Sequence, residues 1–136
     1  METVILDHPL VSAKLTLLRD KNTDSLIFRH LVEELVTLLS YEATRNLNVV
    51  EKIVETPITK TKGYEIAEPK PLVVPILRAG LGMVDGILDL VPTARVGHIG
   101  MFRNEETLEP ELYFSKYPSN LEKRDIFIVD PMLATG

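Results

Sequence analysis

The stretch Ile126-Phe-Ile-Val-Asp-Pro-Met-Leu-Ala-Thr-Gly136 joins four apolar residues to an acid and then to a run of small residues. The apolar run suits a buried central strand of a parallel sheet. Ligands of such sheets bind beyond the carboxyl ends of the strands, and Asp130 stands at that end, placed to accept hydrogen bonds from sugar hydroxyls. Ala134-Thr135-Gly136 then offers a hydroxyl and a main chain that a ligand can approach closely. It begins an anion cradle that the N–H groups of a following helix would complete. The pattern suits a sugar phosphate.

Working back along the chain, Leu72-Val-Val-Pro-Ile-Leu77 reads as a second buried strand, and it too ends in chemistry, in Arg78-Ala-Gly-Leu-Gly82. A cation at a strand terminus followed by two glycines lets the main chain turn tightly or approach a ligand. As a surface arginine with ordinary turn glycines the segment would say little. Its position after a strand, like that of Asp130, puts both residues on one sheet edge. Gly80, Gly82 and Gly86 also invite a dinucleotide-binding reading, but that motif needs its third glycine three residues after the second, where this chain has Asp85. A nucleoside triphosphate loop of the form G-x-x-x-x-G-K-[S/T] is absent from the sequence.

The remainder reads as an α/β chain of single-domain size, residues 1–136. Residues 10–19 and 24–46 carry helical patterning. In the second, Ile27, Phe28, Leu31, Val32, Leu35, Leu38 and Leu39 recur at spacings of three and four, and Thr23 or Asp24 is available as a cap. This helix reads as packing rather than chemistry, with His30 on its solvated side. Val49 to Ile66, rich in Val, Ile and Thr and interrupted by Pro57, predicts a β arm or hairpin with a turn-like Lys60-Thr-Lys-Gly63. After Glu68-Pro-Lys-Pro71 the order is strand 72–77, helix from about 81 to 90, strand 95–102, polar loop 103–111, a short Tyr113-Phe114 strand and strand 126–129. Strands alternating with helices imply a parallel sheet. His8 and His98 lack a partner motif and read as structural.

Composition narrows the function classes. Hydrophobic residues make up 45% of the chain, so a packed core is the default expectation, and the absence of cysteine excludes disulfides, thiolate metal sites and thiol chemistry. No apolar run reaches membrane-spanning length and the acidic start does not read as a signal peptide, so a cytoplasmic location is expected. The formal charge of −5 and the lack of a basic stripe argue against nucleic acid. An anionic ligand would have to be held by local groups and a divalent cation.

The string Val129-Asp-Pro-Met-Leu-Ala-Thr-Gly136 resembles the phosphoribosyl pyrophosphate (PRPP) loop of type I phosphoribosyltransferases, and in its Asp-Pro-Met-Leu-Ala-Thr-Gly form that of the uracil phosphoribosyltransferases. His8-Pro-Leu-Val11, Tyr41-Glu-Ala-Thr-Arg45, Val74-Pro-Ile-Leu-Arg-Ala-Gly-Leu-Gly-Met83 and Gly100-Met-Phe-Arg-Asn-Glu-Glu-Thr-Leu-Glu-Pro110 follow that family's order and spacing over the whole chain. Where many type I relatives place two acids together, this chain has Asp130-Pro131, which points further to the uracil enzymes.

The resemblance implies a type I phosphoribosyltransferase core with N-terminal helices and a β arm, and conversion of uracil and PRPP to UMP and pyrophosphate in pyrimidine salvage. Asp130 is the implied catalytic residue. Arg78, Arg103, Asp130, Pro131, Met132, Leu133, Ala134, Thr135 and Gly136 are the implied PRPP contacts, with Arg103 on a mobile flap. Mg²⁺ is the implied cofactor, brought with pyrophosphate and without a dedicated protein metal site. A homo-oligomer using the β arm is also implied, although an edge hairpin of a monomer fits the same residues. The relatives continue past this loop into a segment that recognises uracil, so the chain ending at Gly136 is expected to be inactive by itself. An inactive fragment, a non-enzymatic nucleotide-sensing relative and a phosphoribosyltransferase for another base remain as alternatives.

Overall fold

The computed structural model describes residues 3–132. Two helices come first, α1 (Pro9–Arg19) and α2 (Ser25–Ala43). His8 caps α1, its Nδ1 accepting from the Leu10 N–H at 3.2 Å, with Pro9 in the first turn, where a missing N–H costs nothing. Asp24 caps α2 by accepting from Leu26 and Ile27, each at 2.9 Å. Near the other end of α2 the Arg45 guanidinium bonds both oxygens of the Glu42 carboxylate and holds its pKa below the ordinary value. The His8 and Tyr41–Arg45 motifs therefore delimit helices.

Strands β1 (Val49–Glu55) and β2 (Lys60–Ile66) form an antiparallel hairpin that is exposed along most of its length. Its turn is Thr56–Thr59, where the Thr56 hydroxyl accepts from Ile58 and Thr59. The expected turn at Lys60–Gly63 is instead strand, since Pro57 has already reversed the chain.

The second sheet is organised by β3 (Leu72–Leu77), whose Leu72 and Val73 are fully buried. A 3-10 turn (Ala79–Met83) and α3 (Val84–Leu90) follow, then β4 (Arg95–Val96), β5 (His98–Arg103), β6 (Pro110–Lys116) and β7 (Ile126–Val129). β3 pairs in parallel with β4, β5 and β7, and β6 closes the far side antiparallel to β5. β4 and β5 follow one another along one side of β3, while β7 takes the other. The sheet is thus mixed. The short Tyr113-Phe114 strand is part of a seven-residue one, and the polar loop contracts to Asn104–Glu109.

Helices α2 and α3 cover one face of β3 and β7. There Val36, Val73, Ile87 and Val129 form the core, with Val32, Met83 and Ala94 against it. Gly86 permits the close approach of α3 to α2, since a Cβ there would lie 2.9 Å from the Glu33 carbonyl oxygen. β7 lies at the margin of the described part of the sheet. Among the described residues it pairs only with β3, and Ile126 and Ile128 are 42% and 63% exposed because they point to the face opposite the helices.

Gly80 locks the loop after β3 onto the end of β7. A Cβ at this position would lie 2.4 Å from the Val129 carbonyl oxygen and 3.1 Å from the Pro75 Cα. Gly80→Ala is expected to destabilise the protein by roughly 1–3 kcal/mol, seen as a lower urea midpoint. At Gly82 a Cβ would meet nothing within 4 Å, and Gly82→Ala is expected to stay within about 0.5 kcal/mol. Equal effects would show that this contact does not matter.

Candidate functional site

Three sequence-predicted residues gather at one edge of the sheet. Arg78 follows the last residue of β3, after a cis Leu77–Arg78 peptide, and begins the 3-10 turn. Asp130 follows the last residue of β7. Because Pro75 pairs with Val129, Asp130 comes level with Ile76, two residues before Arg78. Arg103 ends β5, three residues beyond Gly100, which pairs with Leu77. All three therefore lie at the carboxyl ends of parallel strands, where open α/β sheets bind ligands.

The local chain explains why these groups face solvent. Parallel pairing buries the strand interiors, and the pairing of β3 with β7 stops at Pro75 and Val129, so the next side chains leave the core. Arg78 and Asp130 are both exposed. The Asp130 Oδ1 accepts from the Met132 N–H at 3.4 Å, a long bond that leaves most of the carboxylate's acceptor capacity open. Pro131 and Met132 are exposed beside it. Leu133, Ala134, Thr135 and Gly136 lie outside the described residues.

Sequence reasoning missed the part α2 plays. Phe28, Arg29, Val32 and Glu33 share a cavity of about 440 Å³ with Ala79 and Gly82 of the Arg78 loop and with Pro131 and Met132. The helix assigned to packing also walls the region joining the two loops. The available signal was Arg29 directly beside the apolar stripe, which periodicity alone assigns to solvent. His30 is exposed and 3.7 Å from Glu33, and His98 opens β5 at the other end of the sheet. Among the described residues no group of three or more His, Asp or Glu could hold a metal ion.

Comparisons with known proteins identify the family of this chain. The family profile described as uracil phosphoribosyltransferase matches residues 4–136. The chain belongs to the uracil phosphoribosyltransferase family. Proteins named uracil phosphoribosyltransferase from Renibacterium salmoninarum and Paenarthrobacter aurescens are each 60% identical to it over all 136 residues. The chain spans 64% of the length of each. The solved structure of the AQ2163 protein from Aquifex aeolicus superposes with a TM-score of 0.88 at 42% identity, covering 97% of this chain and 63% of that one. The α/β fold described above is therefore shared with that structure.

In this uracil phosphoribosyltransferase family member the absence of native cysteine permits a direct test of the shared edge. Ala79→Cys with Met132→Cys, two positions on one cavity, is expected to be linked rapidly by a short bis-maleimide. Ala79→Cys with Glu122→Cys, which pairs the site with the segment entering β7 at its opposite end, is expected to remain unlinked. The reverse pattern on denaturing gels would put the two loops on different edges.

Proposed function

We propose that this chain carries the PRPP-binding part of a uracil phosphoribosyltransferase, which converts uracil and PRPP to UMP and pyrophosphate in the cytoplasm. The observation that carries the reading is the convergence of Arg78, Arg103 and Asp130 on the carboxyl edge of one sheet, set by the parallel registers of β3 with β7 and β5. Among the described residues no helix is long and apolar enough to cross a membrane.

In the proposed reaction the bond from the ribose C1 to the pyrophosphate oxygen breaks and its electron pair leaves with pyrophosphate. The uracil N1 forms the new bond to C1, and its proton passes to the released pyrophosphate or to water. Positive charge grows on the ribose as the bond breaks, so the site has to hold the leaving group and tolerate a cation beside it. Arg78 and Arg103 serve the leaving pyrophosphate through charge-assisted hydrogen bonds. Asp130 accepts from the ribose hydroxyls, and its negative charge favours the developing cation. Met132 and Pro131 line the approach to the sugar, while Leu133, Ala134, Thr135 and Gly136 are assigned to the 5′-phosphate. Mg²⁺, held by pyrophosphate oxygens near Asp130, would supply neutralising charge. No described residue is assigned to uracil. The exposed β1–β2 hairpin, with Val50, Ile53 and Tyr64 open to solvent, is assigned to contact with a second copy.

The test uses a chain extended to the relatives' length. Such a chain is expected to form UMP from labelled uracil, PRPP and Mg²⁺, and Arg78→Ala is expected to weaken pyrophosphate binding by about tenfold, the value of one charge-assisted bond. Asp130→Asn is expected to lower the turnover number without a matching rise in the Michaelis constant, the signature of an interaction made in the transition state. A raised Michaelis constant alone would reassign Asp130 to ground-state binding. Absence of UMP formation by a folded, extended chain would overturn the reading.

A further inference from the structure

We infer that Asn104 is a positioning residue: it locks the tip of the β5–β6 hairpin into one shape and so fixes where Arg103 meets its ligand. The inference rests on the assignment of Arg103 to pyrophosphate.

β3 supports β5 only as far as the Leu77–Gly100 pair, and the β5–β6 register shifts between Gly100 and Met101. Beyond that point the hairpin holds its shape by pairing with itself, down to Arg103 opposite Pro110. The shape of its tip therefore bears on the setting of Arg103. That tip, Asn104–Glu109, is charged and, beyond the half-buried Asn104, exposed, and by composition alone it would be a solvated loop.

Asn104 converts it into a fixed one. Its main-chain N–H donates to the Glu109 carbonyl and its carbonyl accepts from the Leu108 N–H, both at 2.9 Å. Its Oδ1 accepts from the Glu106 N–H at 2.8 Å and the Thr107 N–H at 3.0 Å. Its Nδ2 donates to a Glu111 carboxylate oxygen across the hairpin. Both main-chain groups and both side-chain heteroatoms are thus bonded within the hairpin. The same contacts hold Leu108 at φ 60°, a left-handed conformation that a branched side chain adopts only when its surroundings impose it. Asparagine suits the position because it combines an acceptor and a donor on one short side chain. Aspartate would keep the Oδ1 bonds but would set a second carboxylate against Glu111.

The experiment measures magnesium pyrophosphate binding by calorimetry in a chain extended to the relatives' length. Asn104→Ala is expected to weaken binding roughly tenfold, as expected for a displaced binding group, and Asn104→Asp to weaken it as well. Asn104→Asp combined with Glu111→Gln reverses the donor and acceptor across the hairpin and is expected to return affinity to within about threefold of the parent. In an Arg103→Ala background, Asn104→Ala is expected to cost nothing further, because its effect passes through Arg103. Failure of the reversed pair to restore binding, or an equal loss in the Arg103→Ala background, would show general loosening and overturn the inference. An Asn104→Ala variant within twofold of the parent, with Arg103→Ala still impaired, would overturn the role of Asn104 alone. Unchanged binding in Arg103→Ala would overturn the assignment of Arg103, and the inference with it.

Discussion

Parallel pairing of β3 on both of its sides is the constraint on which the rest of the molecule depends. Leu72 and Val73 are fully buried in it, β7 runs alongside Leu72–Pro75, and β5 meets Ile76 and Leu77. A shift of one residue in either pairing would turn the apolar set of the moving strand to the wrong face. The registers are therefore fixed by burial, and with them the level at which Asp130, Arg78 and Arg103 emerge. Gly80 adds a second tie, because only a residue without a Cβ fits between Pro75 and the Val129 carbonyl.

An overall charge of −5 gives an anionic ligand no long-range attraction. The favourable groups must be local. Cations occur at both ends of the strands, but they are used differently. At the amino ends Lys70 donates to the Ile66 carbonyl and lies 3.4 Å from Glu68, while Arg124 donates to the Lys70 carbonyl. These groups tie the root of the hairpin to the sheet. At the carboxyl ends Arg78 is exposed in a turn beside the open carboxylate of Asp130.

Much of this was legible in the sequence because the decisive elements are short apolar runs ending in a charged residue. β3 and β7 occur at the expected positions, and α2 is capped by Asp24, one of the two residues available as its cap. What was not legible depended on contacts between distant segments. The extent of β6 was missed because Glu111 and Ser115 break the apolar pattern of an exposed strand. The wall formed by Phe28 and Arg29 was missed because helical periodicity reports which face is apolar but not what lies beside its edge. Asn104 looked like one more polar loop residue until its hydrogen bonds were located.

The claim that this sheet binds its anion at the carboxyl edge is tested most directly by mapping amide chemical-shift changes on adding magnesium pyrophosphate to isotopically labelled protein. The account predicts that the largest changes cluster at Ala79–Gly82, Arg103–Asn104 and Asp130–Met132. Changes centred on Lys70, Arg95 and Arg124 would place the anion at the opposite edge and contradict it.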